Sequence, residues 1–337
     1  MKIVHPNTEK AFMRIRIKTL AFAALATLGA LPTLTFAQDS WPNKPISLVV
    51  PYPPGGTSDI VGRQIAQRLR EELGQPVIVE NRAGAATAIG AAYVARAPKD
   101  GYTLLLSAGT TFTVNPHLND KLQYKLEDFA PVSLVCTVPF AFVVKKDFPA
   151  KTLKEFTAYA KANPNKINNA TNGQGSMVHL LGEMIATGLD VKMAQVHYKG
   201  AAPAMADLMG GIVDSNVEAL TNAVPNVNAG QYRALAVLSL ERQALLPDVP
   251  TFRELGYPDI AGDTWYGVFA PVGTPEPVVT KLNAALRKIT SSPEFVDGMR
   301  KLGNEAKSGS PADLLTTTKE QNKVWGGLIK RLNITLQ

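Results

Sequence analysis

Cysteine is almost missing from this chain. Cys136 is the one thiol in 337 residues, which excludes an intrachain disulfide and any zinc or iron–sulfur site built from several thiolates. Histidine is scarce as well. His5, His117, His179 and His197 stand far apart and form no His-Glu-x-x-His pair, so neither a metal nor a cofactor is expected. Lys and Arg do not gather into runs, so nucleic acid is not an expected partner. No stretch after residue 37 reaches 18 uninterrupted apolar residues, and the chain beyond that point is expected to be soluble. No unit of 20–50 residues repeats, which argues against a solenoid. What is present is ordinary globular material: 45% hydrophobic and 19% charged residues, enough for a packed core and far from a disordered composition.

The formal charge of +7 is concentrated at the start of the chain. Residues 1–37 read as a secretory signal, with Met13 a possible start. Arg14, Arg16 and Lys18 form a basic region, Leu20 to Leu31 is apolar, and Thr35-Phe36-Ala37 places small residues before a cleavage at Gln38. The apolar run is short for a membrane span. Removing residues 1–37 leaves 30 basic and 27 acidic residues, a net charge of +3. A soluble exported protein with one cysteine fits a bacterial periplasm.

Beyond the leader, strand-like and helix-like patterns alternate, the signature of an α/β fold with parallel strands. Ile46 to Val50 is a strand that stops at Pro51. Helical spacing follows from Ile60 to Leu69, then a strand at Val77 to Val79, a helix at Ala86 to Ala97 and a strand at Tyr102 to Leu106. The same grammar restarts with a strand at Phe140 to Val144 and runs to a strand at Arg233 to Leu238. This predicts two α/β units, with a changeover near residues 132–139 and a return near 238–240. One more strand at Trp265 to Ala270 and three helices complete the chain.

In open α/β sheets ligands bind beyond the carboxyl ends of the strands, which singles out three loops. The first holds Tyr52, Gly55, Gly56, Thr57, Ser58 and Asp59. It matches neither dinucleotide nor nucleotide-triphosphate glycine patterns, but it leads into a helix whose first N–H groups attract an anion. Thr57, Ser58 or Asp59 is placed to cap that helix. The second holds Gly173, Gln174, Gly175 and Ser176 and ends at another helix start, with His179 one turn further in and placed to face a cleft. The third holds Ser107, Gly109 and Thr110, small residues with hydroxyls and backbone donors. Gly84, Tyr198 and Glu218 are further candidates; Arg82 and Lys199 read more readily as solvated surface charges. Ser176 and His179 lie three apart, but no G-x-S-x-G elbow accompanies them. Cys136 sits in an apolar run and reads as an inert buried thiol.

These loops carry a resemblance. Lys44-Pro45-Ile46, PYPPGGTSD at 51–59, Val79 to Ala85, Pro98 to Leu105, GQGSMVHL at 173–180, Tyr198-Lys199-Gly200, Pro250 to Tyr257 and Trp265 to Pro271 are similar to the Bug family. These are the periplasmic substrate-binding proteins of tripartite tricarboxylate transporters, and the match runs from about residue 41 to 330. The resemblance implies a two-lobed periplasmic binding protein, a type II-like Venus flytrap with each lobe a sheet flanked by helices. Residues 38–138 plus 239–337 would form lobe 1, and 139–238 lobe 2. It implies a small organic mono- or dicarboxylate as ligand, held by the 55–59 and 173–179 loops from opposite lobes, and membrane permease subunits as partner. A monomer without catalytic residues is expected. Ser215 to Glu218 and Ser107 to Phe112 depart from the family's usual patterns, so no particular ligand carries over. A sensor with a membrane signalling partner and a serine hydrolase are the alternative functions.

Overall fold

The structure is a computed structural model that describes Met1, residues 41–331 and Ile334. The expected leader at 1–37 and its cleavage site lie outside the described residues, Met1 aside, and the following concerns the compact unit from Pro42 onward.

The first half opens with β1 (Ile46–Val50), α1 (Thr57–Leu73), β2 (Val77–Asn81), α2 (Ala88–Ala95) and β3 (Thr103–Ala108). β4 (Phe129–Lys145) then leads into α3 (Leu153–Ala162), β5 (Ile167–Thr171), α4 (Met177–Gly188), β6 (Met193–His197), α5 (Ala201–Met209), β7 (Ser215–Ala219), α6 (Leu220–Asn228) and β8 (Tyr232–Val237). The chain returns through β9 (Asp263–Pro271), α7 (Glu276–Thr290), α8 (Pro293–Lys301), β10 (Glu305–Ala306) and α9 (Pro311–Arg331).

The strands run in the order β2-β1-β3-β9-β4-β7-β5-β6, with β8 and β10 also on β4. β1 pairs in parallel with β2 and β3, and β5 with β6 and β7. Each parallel set therefore sends its carboxyl ends the same way, and the candidate loops follow those ends. The residues near the expected changeover form no loose linker. They belong to β4, a 17-residue strand. Its first part, through Pro139, pairs with β9, and from Phe140 onward it pairs with β7 on one edge and β8 on the other. Pro139 lacks the N–H a ladder needs, so it sits where one partner gives way to the next.

Two cores follow from this exchange. Phe112 packs on Phe129 at 5.1 Å and on Phe269 at 4.5 Å between ring centroids, with Val49, Leu105 and Trp265 around them. Beyond Pro139, Phe142 meets Phe156 edge-on at 4.9 Å, beside a cluster that includes Ala141, Leu208, Leu220 and Tyr232. Edge-to-face pairs at such distances add roughly 0.5–1.5 kcal/mol beyond their buried area.

The helix expected at Ala86 to Ala97 is shorter, at Ala88–Ala95. Ala85, Ala86 and Thr87 have φ of 45°, 50° and 81°, a left-handed run that alanine disfavours. Tertiary contacts hold it. Asn115 Nδ2 donates to the Ala86 carbonyl and to Thr87 Oγ1, which also meets Thr111 Oγ1 at 2.8 Å. α2 then lies so close to the loop after β1 that a Cβ on Gly90 would fall 2.7 Å from Pro51 Cβ and 2.8 Å from the Arg82 carbonyl oxygen. Gly90→Ala is expected to destabilise the protein by roughly 1–3 kcal/mol in urea unfolding. Gly327→Ala, in α9 with nothing within 4 Å of the added methyl, should leave stability unchanged or slightly raised.

Candidate functional site

A cavity of about 570 Å³ opens where the loops of the two halves face each other. One wall is the loop after β1. Gly56 is the N-cap of α1, and no side chain caps that helix. Thr57, Ser58 and Asp59, expected as caps, have other tasks. Ser58 Oγ lies 2.8 Å from the Tyr266 hydroxyl. The Asp59 carboxylate accepts from Gly55 N–H at 3.1 Å, Arg63 Nε at 3.0 Å and Asn81 Nδ2 at 3.1 Å. Burial would raise its pKa, but these donors outweigh that and hold the carboxyl below its usual range. Asp59 and Gly55 thus brace the loop from behind, while Tyr52, Gly56, Thr57 and Ser58 line the cavity. The first N–H groups of α1 have no intrahelical acceptor, as at any helix start.

The facing wall is the loop after β5. Gly173, Gln174, Gly175 and Ser176 all line the cavity. Ser176 is the N-cap of α4, its Oγ accepting from His179 N–H at 3.2 Å, so its own proton remains to be donated. His179 is set behind the loop and does not line the cavity. Its ring packs edge-on against His197 at 4.8 Å, and its Nδ1 accepts the Gly175 N–H at 3.1 Å. The proton therefore sits on Nε2, 3.8 Å from Glu183. Burial, aided by the neighbouring His197, lowers the His179 pKa to about 4. The neutral ring orients the glycine loop. The loop after β6 comes close to the first wall, where a Cβ on Gly200 would lie 3.2 Å from the Pro53 ring.

The third loop contributes less than its composition suggested. Thr110 lines the cavity, 3.3 Å from the Tyr52 hydroxyl. Ser107 is buried beneath it on Thr111 Oγ1 at 2.6 Å, and Gly109 is pressed against the Trp265 indole. Gly84 and Tyr198 also line the cavity, the Tyr198 hydroxyl donating to Asp207 at 2.6 Å. Arg82 does not; it pairs with Glu80 at 2.8 Å and lies over the Tyr93 ring.

The floor comes from β4, β7 and β9 where they meet: Val138 and Phe140, Glu218 and Ala219, Thr264 and Tyr266. Glu218 is 1% exposed. Its two carboxylate oxygens accept from Asn222 Nδ2 and Asn216 Nδ2, each at 3.0 Å. Burial raises its pKa to about 7, against the opposing hydrogen bonds from Asn222 and the Ala219 backbone N–H. Asn222, Asn115, Thr264, Tyr266 and the Ala85–Thr87 turn are lining residues that the sequence reading did not single out. Asn222, four residues after Glu218 in the first turn of α6, and Tyr266, inside the Trp265–Pro271 motif, had signals in the sequence; the alanine turn had none. Among the described residues no group of three His, Cys, Asp or Glu is placed to hold a metal.

Two α/β halves exchanging one long strand, with loops from both entering a single cleft, define the periplasmic binding protein class. The chain belongs to the tripartite tricarboxylate transporter family receptors, whose sequence profile matches residues 61–334. It is 35% identical to Protein BugT of Bordetella pertussis over 315 residues, covering 93% of this chain and 96% of BugT. The structure of periplasmic binding protein BugD superposes with a TM-score of 0.83 at 38% identity, covering 88% of this chain and all of BugD. R. palustris Rpa4515, solved with adipate, superposes with a TM-score of 0.85 at 34% identity, again over 88% of this chain and all of the other. The family and the two-lobed α/β fold implied by the sequence motifs are thus both established.

Two buried groups give the site an opposed pH response. Glu218 titrates near 7 in the fold against an ordinary 4.5, so the folded state keeps a proton that the unfolded chain releases, and stability is lost as pH rises from about 4.5 to 7. His179 titrates near 4 against 6.5, so the unfolded chain gains a proton that the fold refuses, and stability is lost as pH falls from about 6.5 to 4. Each effect is on the order of 3 kcal/mol over its window. Urea unfolding between pH 4.5 and 6.5 is expected to show them cancelling. Relative to the wild-type profile, His179→Gln should make stability fall with rising pH, and Glu218→Gln should make it rise. Unchanged profiles in both variants would contradict the assignment.

Proposed function

We propose that this protein captures a small organic mono- or dicarboxylate, aliphatic or aromatic, between two lobes and delivers it to the membrane permease subunits of a tripartite tricarboxylate transporter. The lobes are residues 38–138 plus 239–337 and residues 139–238. The protein acts as a monomer in the periplasm, exported by a signal peptide cleaved after Ala37. The ligand contacts are assigned to the 55–59 and 173–176 loops, Tyr52, Gly84, Thr110, Tyr198 and Glu218, with Gly55, Asp59, Ser107, Gly109 and His179 acting from behind the cavity wall.

One observation carries this reading: two helix starts, from α1 and α4, meet one cavity from opposite sides. Each is worth roughly 0.3–1 kcal/mol to an anion, up to about 2 when partly buried. The family's membership and a neighbour holding adipate support a carboxylate. No catalytic step is proposed. Ser176 Oγ caps its own helix, and the His179 ring is turned to Gly175 and Glu183, so the pair has no arrangement for nucleophilic attack. Binding of the carboxylate would favour the closed form through contacts that only both lobes together supply.

A thermal-shift screen over aliphatic and aromatic mono- and dicarboxylates should find acids that raise the melting temperature and are recovered unchanged. Ser176→Asp keeps a good N-cap but adds a negative charge. It should weaken binding in calorimetry by at least tenfold, about 1.4 kcal/mol. Ser176→Ala should cost less, as should Arg82→Ala and Lys199→Ala. Normal binding by Ser176→Asp, with binding lost in Arg82→Ala or Lys199→Ala, would mean that ion pairs hold the ligand and the helix starts do not.

A further inference from the structure

The cavity walls offer a ligand neutral donors, but its floor offers the reverse. Glu218 is a buried carboxylate that lines the same cavity. Its oxygens accept side-chain N–H groups from Asn222 and Asn216 and the backbone N–H of Ala219, three donors against about four acceptor positions. Acceptor capacity therefore remains.

No cation answers it. Among the described residues Glu218 has no ion pair, and Lys199, the basic residue that lines the cavity, is exposed. A buried charge without a counter-charge is costly unless something satisfies it. Asn216 turns its amide nitrogen to Glu218, and its own Oδ1 is buried without a hydrogen-bond partner. Thr264 Oγ1, also in the cavity lining, is another buried polar atom without a partner. The floor thus leaves acceptors at Glu218 and Asn216 incompletely satisfied, with one unused hydroxyl at Thr264.

We infer that Glu218 determines specificity: the cavity prefers carboxylates whose other end bears a hydroxyl or ammonium hydrogen-bond donor, and disfavours those whose other end is a second ionised carboxylate. The inference rests on the carboxylate reading of the loops and narrows it. One end of the ligand lies at the helix starts, and the other donates to Glu218. A second carboxylate brought to the floor meets a like charge in a site shielded from water, where such repulsion is far stronger than in bulk solvent.

Matched acids separate the two ends. Calorimetry at pH 8 would compare 4-hydroxybutanoate and 4-aminobutanoate with succinate, 6-hydroxyhexanoate and 6-aminohexanoate with adipate, and 4-hydroxybenzoate with terephthalate. In the length class that binds, the wild type should favour the donor-bearing acid over its diacid by at least about tenfold. Glu218→Gln, whose amide can donate, should bring the two within about threefold or reverse the order. The wild-type comparison needs no variant, so it decides even if Glu218→Gln folds poorly. Equal or tighter binding of the diacid by the wild type overturns the inference, as does an undiminished preference in folded Glu218→Gln; in both cases the carboxylate reading survives. If no acid of any set binds, the carboxylate reading fails and this inference fails with it.

Discussion

A strand that changes partners halfway along must break one hydrogen-bond ladder and begin another without leaving buried N–H groups unpaired. β4 does this at Pro139 and Phe140, and the rest of the molecule depends on it. The last β9 pair is Pro139 with Asp263, and the first β7 pair is Phe140 with Ala219. A residue with no N–H to satisfy occupies the junction. Because β4 serves both halves, two separate aromatic cores form along one strand. The two sets of parallel strands then direct their carboxyl ends to a shared space. The floor of the cavity is this junction seen from the side: Val138 and Phe140 beside Glu218 and Thr264.

The chemistry of the site follows from what each element leaves unpaired. α1 begins at Gly56 without a side-chain cap, and α4 begins at Ser176 with its hydroxyl proton still available. The residues just behind these positions hold their own loops. Asp59 is held by Gly55, Arg63 and Asn81, and His179 holds Gly175. The Asp59 charge is thus spent on its own loop, and Lys199, the basic side chain in the lining, is exposed. The buried charged group in the lining is Glu218, where burial works against ionisation. The protein supplies it with amide donors and no cation. Walls of donors above a floor that accepts make the cavity directional, so a ligand with two different ends has one preferred orientation.

Much of this was legible in the sequence, for reasons that differ from residue to residue. The alternation of short β-branched runs with amphipathic stretches reflects burial on both faces of a parallel sheet, so the strand at Ile46–Val50 stands where it was expected, and those at Val77–Asn81 and Thr103–Ala108 end within two residues of their expected bounds. Glycine, serine and proline mark the loops after those strands because few other residues turn there. Composition does not reveal the direction in which a side chain points. His179 and Asp59 look like ligand contacts in a string of letters, yet each turns back to hold its own loop. The Ala85–Thr87 turn was illegible for the opposite reason. Alanine favours a helix locally, and the contacts that override it come from Thr111 and Asn115, far along the chain. The changeover near 132–139 was legible as a place but not as a continuous strand, since Pro131 and Pro139 read as breaks until the partner strands are known.

The central claim is that one ligand touches both helix starts at once. Amide hydrogen exchange, resolved by residue in the presence and absence of the carboxylate that most raises the melting temperature, tests it directly. The account predicts slowed exchange at Thr57 and Ser58 at the start of α1 and at Met177 and Val178 at the start of α4, with little change at the exposed starts of α7 and α8. Protection at only one of the two loops, or at neither while binding is confirmed by calorimetry, would contradict it.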